Sequence, residues 1–240
     1  MNRWLFHLLV FLVFVTGSCA TLQGNSAATG GENPARPDAL TYLALGDSYT
    51  IGEGAAVADR WPSQLASLLT SQGTAVAAPT YIARTGWTTA ELQDAIAAAQ
   101  PSSTYGLVSL LIGVNNQYRG QSLTQYRSEF RALLQQAIGL AGGRPGRVVA
   151  LSIPDWGQSP YGQRQGRGAA AIGPEIDQFN AVAQDECRQA AVAYVNITAL
   201  TRAAAGTSNQ FTNDGLHYSG LQMRQWADRA LPVTQALLKQ

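Results

Sequence analysis

From residue 39 onward, short apolar runs alternate with stretches of helical periodicity. Residues 40–45 (LTYLAL), 106–112 (GLVSLLI), 147–153 (RVVALSI) and 193–197 (AYVNI) are apolar on nearly every position. Runs of this length without alternation belong to strands covered on both faces. Residues 75–83 form a weaker strand, interrupted by Pro79. Between these runs the period changes to that of a helix. Residues 61–71 carry Pro62 in the first turn, where its missing N–H costs nothing. Residues 88–99 open with Thr88 and Glu91 at capping-box spacing. Residues 123–140 are amphipathic and stop at Gly142-Gly143. Residues 174–190 begin on a proline, and 219–238 close the chain. Residues 154–172, rich in Gly, Pro and Gln, are expected to form a long loop.

Five strands separated by helices predict an α/β fold in three layers, α/β/α, around a five-stranded parallel sheet of flavodoxin-like type. No internal repeat and no second core divides the chain, so residues 39–240 form one expected domain. Ligands of such sheets bind beyond the carboxyl ends of the strands. The residues that follow each strand are therefore the place to look for chemistry.

Gly46-Asp47-Ser48-Tyr49-Thr50 follows the first strand and Arg84-Thr85-Gly86-Trp87-Thr88 the second. Gly113-Val114-Asn115-Asn116 follows the third, and Asp214-Gly215-Leu216-His217 comes after the fifth. The chain has 2 histidines, and His7 lies in an apolar leader, so His217 is the imidazole of the folded part. Imidazole is the side chain that exchanges protons near neutral pH without strong perturbation. Ser48 needs such a base to act as a nucleophile. Asp214, three residues before His217, is close enough to orient the ring. The N–H groups of Ser48 and Gly86 and the side-chain amide of Asn115 are candidate donors to an oxyanion. A G-x-S-x-G nucleophile elbow is excluded, because Thr50 stands where the second glycine belongs.

These four ordered blocks, Gly-Asp-Ser, an isolated glycine, Gly-x-Asn and Asp-x-x-His, resemble those of the SGNH/GDSL hydrolase family over residues 40–238. The resemblance implies a serine esterase or acylhydrolase, with Ser48, Asp214 and His217 as catalytic residues and Ser48, Gly86 and Asn115 as oxyanion donors. It implies short acyl esters, acetylated sugars or lysophospholipids as substrates, and no cofactor. The family commonly has Gly-x-Asn-Asp in its third block; this chain has Asn116 in the last place. Tyr49, Trp87, Tyr118 and Trp156, with Tyr161 and Tyr218, are candidates to line the substrate pocket, while Trp87 and Trp156 could equally cover the sheet edge. Arg84 and Arg119 read as solvated surface cations, with orientation of an anionic group as the competing reading. The rival from another class is a cell-surface glycan-binding module that keeps this fold without turnover.

Composition narrows the field further. With a net charge of +1 and 13% charged residues, no basic face recommends nucleic acid as a partner. Lys239 is the sole lysine, which argues against a Schiff-base mechanism. One histidine among scattered carboxylates makes no metal-ligand cluster. The chain starts with Arg3, an apolar run over 5–15 broken by His7, and the small residues Thr16-Gly17-Ser18-Cys19-Ala20. Residues 1–19 read as an export signal of the bacterial lipoprotein kind, with lipidation at Cys19; ordinary secretion with cleavage after Ala20 is the competing reading. Residues 20–38 are rich in Gly, Ala, Ser, Asn and Pro and read as a flexible tether. Membrane contact is then expected through the N-terminal anchor alone, in the cell envelope. Cys187 falls in a helical stretch and reads as inert packing.

Overall fold

The computed structural model describes residues 39–101 and 104–239. The expected signal over 1–19, with Cys19, and the tether over 20–38 lie outside the described residues.

Five strands form one sheet: β1 (Tyr42–Gly46), β2 (Thr80–Ala83), β3 (Leu107–Leu111), β4 (Val148–Leu151) and β5 (Ala193–Val195). Their order is β2-β1-β3-β4-β5, and every neighbouring pair is parallel. This is the flavodoxin-like order; the apolar runs alone specify the parallel sheet and not the order. Every residue of β1, β3 and β4 is buried, whereas the edge strands β2 and β5 are only partly covered. Burial on both faces explains why the three inner runs show no polar alternation. The weak run at 75–83 shrinks to β2, because Pro79 cannot donate to a ladder and the strand starts just after it.

The long helices match their periodic segments: α2 (Trp61–Ser71), α3 (Thr89–Ala99), α5 (Leu123–Leu140), α7 (Gly168–Gln189) and α9 (Gly220–Leu238). Helices α2 and α9 pack against each other, while α5 packs against both α3 and α7. These two groups make the outer layers around the sheet. Trp61 on α2 and Trp226 on α9 are fully buried. Burying the two indoles fills that layer with apolar surface, partly offset because neither indole Nε1 has a hydrogen-bond partner among the described residues. Among the described residues, no helix is long and apolar enough to cross a membrane.

Four short helices were not legible in the pattern: α1 (Ser48–Ile51), α4 (Val114–Tyr118), α6 (Pro160–Gln163) and α8 (Thr198–Ala203). The expected loop over 154–172 is corrected as well. It contains a 3-10 turn at Trp156–Gln158 and then α6, and α7 already starts at Gly168. Pro174 lies inside α7 and does not open it. The run Ala169-Ala170-Ala171 has the best helix propensity available, so the helix extends back past the proline at the loss of a single backbone bond.

The strand order reverses at β1 and β3, which are neighbours in the sheet while their following chain segments diverge. Gly46 ends β1 at this point. A Cβ there would sit 2.1 Å from Thr50 Oγ1 and 2.3 Å from Leu111 O, so glycine alone lets the next turn close over the strand ends.

Candidate active site

Asp47 starts the site by capping α1: its Oδ1 accepts the Tyr49 N–H at 3.0 Å. This cap makes Ser48 the first helical residue, whose N–H has no intrahelical acceptor. Burial pushes the Asp47 carboxyl up from 3.8 to about 7, against the hydrogen bond from Tyr49. Its Oδ2 has no partner among the described residues.

A cleft of about 220 Å³ lies over the carboxyl ends of the inner strands. Ser48 and Tyr49 line it from α1, Thr85 and Gly86 from the turn after β2, and Val114, Asn115 and Tyr118 from α4. Trp156 and Tyr161 come from the segment after β4, and Leu216 and His217 from the turn before α9. Ser48, Gly86, Asn115 and His217, far apart in sequence, thus meet on one surface. Among the described residues, Ser48 Oγ forms no hydrogen bond, with His217 or any other group. Such contacts often tighten only when substrate is bound.

The Asp214–His217 turn is built locally. His217 Nδ1 meets Asp214 Oδ2 at 2.6 Å. Asp214 Oδ1 accepts from Leu216 N–H at 2.7 Å, His217 N–H at 2.9 Å and the Thr212 hydroxyl at 2.9 Å. The turn closes with Thr212 N–H donating to His217 O at 2.8 Å. Partial burial alone raises the Asp214 pKa, but the bonds from the His217 ring, the two backbone N–H groups and Thr212 outweigh it and hold the carboxyl well below its ordinary range. An ionised carboxylate only accepts, so the Nδ1 of His217 carries the proton and Nε2 is the nitrogen left to receive one. The Tyr49 ring meets the imidazole edge-on at 5.7 Å between centroids, which fixes the ring from its other side.

The opposite wall carries the donors. The N–H groups of Ser48 and Gly86 make no hydrogen bond among the described residues. Gly86 has φ of 86°, a conformation that a side chain strains. Asn115 Nδ2 donates to Trp87 O at 2.9 Å, so one of its two amide hydrogens is committed and the other remains for the cleft. Asn116, buried, accepts the Thr89 N–H at 3.1 Å and donates to Thr89 Oγ1 at 2.6 Å and to Gln121 Oε1. Thr89 and Gln121 in turn bond Glu129. An amide at 116 therefore serves a network whose carboxylate is Glu129. Three preorganised donors and an imidazole held by a carboxylate can together stabilise an oxyanion and move a proton.

Of the candidate pocket aromatics, Tyr49, Tyr118, Trp156 and Tyr161 line the cleft; Tyr218 does not, and neither does Trp87. Its ring is partly buried against the core, and what it offers the site is the carbonyl that orients Asn115. Tyr118 is 53% exposed and meets Trp156 edge-on at 5.5 Å. Trp156 Nε1 donates to Gln117 Oε1 at 2.8 Å, which sets the indole. Thr85, Val114 and Leu216 were missed; nothing in their types marks them, and only their places beside the motif residues do. Arg119 is corrected: its guanidinium bonds Gly86 O at 2.6 Å and Glu91 Oε2 at 3.2 Å. Cys187 is buried and free, and burial pushes its thiol up to about 12, away from nucleophilic use. Among the described residues, no group of acidic, histidine and cysteine side chains forms a metal site.

The model of the GDSL-like lipase/acylhydrolase family matches residues 44–224. No curated protein sequence matches the chain. Among solved structures, TesA aligns with a TM-score of 0.63 at 20% identity, covering 82% of this chain and 99% of its own. The esterase EstA from Pseudoalteromonas sp., solved in a form inhibited by monoethylphosphonate, aligns with a TM-score of 0.62 at 17% identity, covering 83% and 99%. A variant of the acetyl xylan esterase Axe2 from Geobacillus stearothermophilus gives 0.62 at 17% identity, covering 81% and 94%. At these identities the likeness establishes the fold.

Proposed function

From the premise that this chain belongs to the GDSL-like lipase/acylhydrolase family, we propose that it hydrolyses carboxylic esters through an acyl-enzyme on Ser48. Ser48 Oγ attacks the ester carbonyl carbon as His217 Nε2 takes the hydroxyl proton. The carbonyl π pair moves onto oxygen, where the N–H groups of Ser48 and Gly86 and the free Asn115 amide hydrogen receive it. The C–O bond to the alcohol then breaks, and His217 returns its proton to the departing oxygen. Water repeats the sequence on the acyl-serine, with His217 again as base. Asp214 holds the ring and stabilises the imidazolium. The observation that carries this reading is the convergence of Ser48, Gly86, Asn115 and His217 on one cleft.

The cleft favours small, uncharged esters. Among the described residues no Arg, Lys, Asp or Glu lines it, and the Arg119 guanidinium beside it is already bonded to Gly86 O and Glu91. Its volume suits a short acyl chain, and the Tyr118, Trp156 and Tyr161 wall suits a flat or cyclic alcohol such as an acetylated sugar. An ester panel graded in chain length, with acetylated xylan beside a lysophospholipid, tests this: acetyl to butyryl esters should lead and the phospholipid should trail.

A fluorophosphonate probe tests the chemistry. The purified protein should gain one phosphonyl group on the Ser48 peptide and hydrolyse an activated acetate ester. Ser48→Ala should do neither. No labelling and no hydrolysis by the parent chain would favour the glycan-binding module. We also propose export and anchoring through Cys19, supported by the apolar run over 5–15 and the small residues around the cysteine. Membrane fractionation tests this, since Cys19→Ser should release the protein.

A further inference from the structure

Helix α4 and its C-cap residue Arg119 hold the Gly86 turn through two side chains one helical turn apart. Asn115 and Arg119 are spaced i, i+4, joined by the Arg119 N–H to Asn115 O bond at 3.0 Å. Asn115 takes Trp87 O at 2.9 Å, and Arg119 Nη2 takes Gly86 O at 2.6 Å. Two consecutive carbonyls of one loop are thus tied to one helix. The second nitrogen of Arg119, Nη1, is fixed at 3.2 Å by Glu91, the residue that also closes the capping box with Thr88 at the start of α3. The guanidinium therefore stands between the two helices with the Gly86–Trp87 peptide in its grip.

Fold stability does not account for this. The Arg119–Glu91 pair is half exposed on both sides, at 50% and 43%, and exposed pairs of that kind contribute little. The bond to Gly86 O is charge-assisted and short, and it acts on a residue whose φ of 86° leaves the backbone easy to turn. A Cβ placed on Gly86 would lie 3.8 Å from Arg119 Nη2, so the cation sits beside a residue that lines the cleft.

We propose that Arg119 is a positioning residue for the oxyanion site: by holding Gly86 O it limits rotation about Gly86, so that the Gly86 N–H, carried by the preceding Thr85–Gly86 peptide, keeps its aim at the developing negative charge, and it brings a fixed positive charge close to that point. The inference rests on the ester-hydrolase reading of the same cleft.

The test combines kinetics with a binding measurement. Arg119→Met should lower kcat on the order of tenfold or more while KM moves less than about twofold, since the loop is misaimed and the pocket walls are kept. Affinity for an alkylboronic acid, whose tetrahedral serine adduct occupies the oxyanion position, should fall in parallel with kcat. Arg119→Lys, which keeps a donor, should recover part of the loss. Guanidinium added to Arg119→Ala should restore kcat further, because the side chain's site is open to solvent. An unfolding midpoint close to that of the parent establishes that the variants fold. Unchanged kcat and boronate affinity in Arg119→Met, with an active parent, would overturn the Arg119 inference alone. A parent chain that neither turns over esters nor binds the boronate would overturn the ester-hydrolase reading, and this inference with it.

Discussion

The two walls of the cleft are assembled by opposite strategies. The Asp214–His217 turn organises itself: the carboxylate is bonded by Thr212, Leu216 and His217, none more than three residues away. The Gly86 turn is organised by others. Glu53, 32 residues away in sequence, takes the Thr85 hydroxyl, while Asn115 and Arg119, 28 and 33 residues from their partners, take consecutive carbonyls. The difference follows from what each wall must present. An imidazole needs one neighbour to set its tautomer, and a short turn can supply it. A backbone N–H has no rotamer to adjust, so aiming it means fixing the peptides around it, and the five-residue turn from Arg84 to Thr88 does so with help from elsewhere in the chain. On the proposed mechanism, the base is thus a local construction and the anion hole a tertiary one.

Mutations can break the contrast where it is strongest. His217→Ala removes the base outright and should lower kcat by about 10⁶, with Ser48→Ala alike, as measured by steady-state hydrolysis of an activated ester. Asp214→Asn leaves the ring but loses the acceptor that sets its tautomer, and a loss of about 10⁴ is expected in the same assay. Combined with His217→Ala it should add almost nothing, because the turn acts as one unit. Asn115→Ala, on the other wall, should cost about 10²–10³ in kcat by removing one donor and releasing Trp87 O. Its free-energy loss should add to that of Asp214→Asn within about 0.5 kcal/mol, as for sites without shared partners. Strong coupling in that second pair would dissolve the distinction between the walls.

The smallest effect concerns Asp47, which belongs to neither wall and fixes the helix start between them. Its folded-state pKa of about 7 lies above the ordinary 3.8. Ionising it in place is therefore disfavoured, and the stability it contributes is complete below the unfolded pKa and lost as pH rises through about 7. Asp47→Asn keeps an oxygen for the Tyr49 N–H and removes the titration. Denaturant unfolding at about pH 5 and about pH 8.5 should show the variant gaining ~3 kcal/mol on the parent between the two. A constant difference would mean that Asp47 titrates normally.

The same contrast decides what the sequence disclosed. The Asp214–His217 pair was legible because its logic is a spacing of three residues. The inner strands were legible because burial on both faces leaves continuous apolar runs, and β1, β3 and β4 carry them. Short helices such as α1 and α4 left no trace, since four or five residues cannot express a 3.6-residue period. The early start of α7 was hidden by Pro174, whose local preference yielded to the alanine run before it. Arg119 looked like a surface cation because its partner at Gly86 is chosen by the packing of α4 beside the turn after β2, which no local pattern encodes. Trp87 misled for the same reason: its type suggested a pocket wall, and its carbonyl turned out to be the part the site uses.

The most direct measurement is a crystal structure of the protein after reaction with a short alkyl fluorophosphonate. Phosphorus should be bonded to Ser48 Oγ, with the phosphonyl oxygen within about 2.7–3.1 Å of the Ser48 N, Gly86 N and Asn115 Nδ2 atoms. His217 Nε2 should lie within hydrogen-bonding reach of an adduct oxygen. A phosphonyl oxygen facing solvent, or an adduct on another residue with Ser48 untouched, would contradict the proposed mechanism.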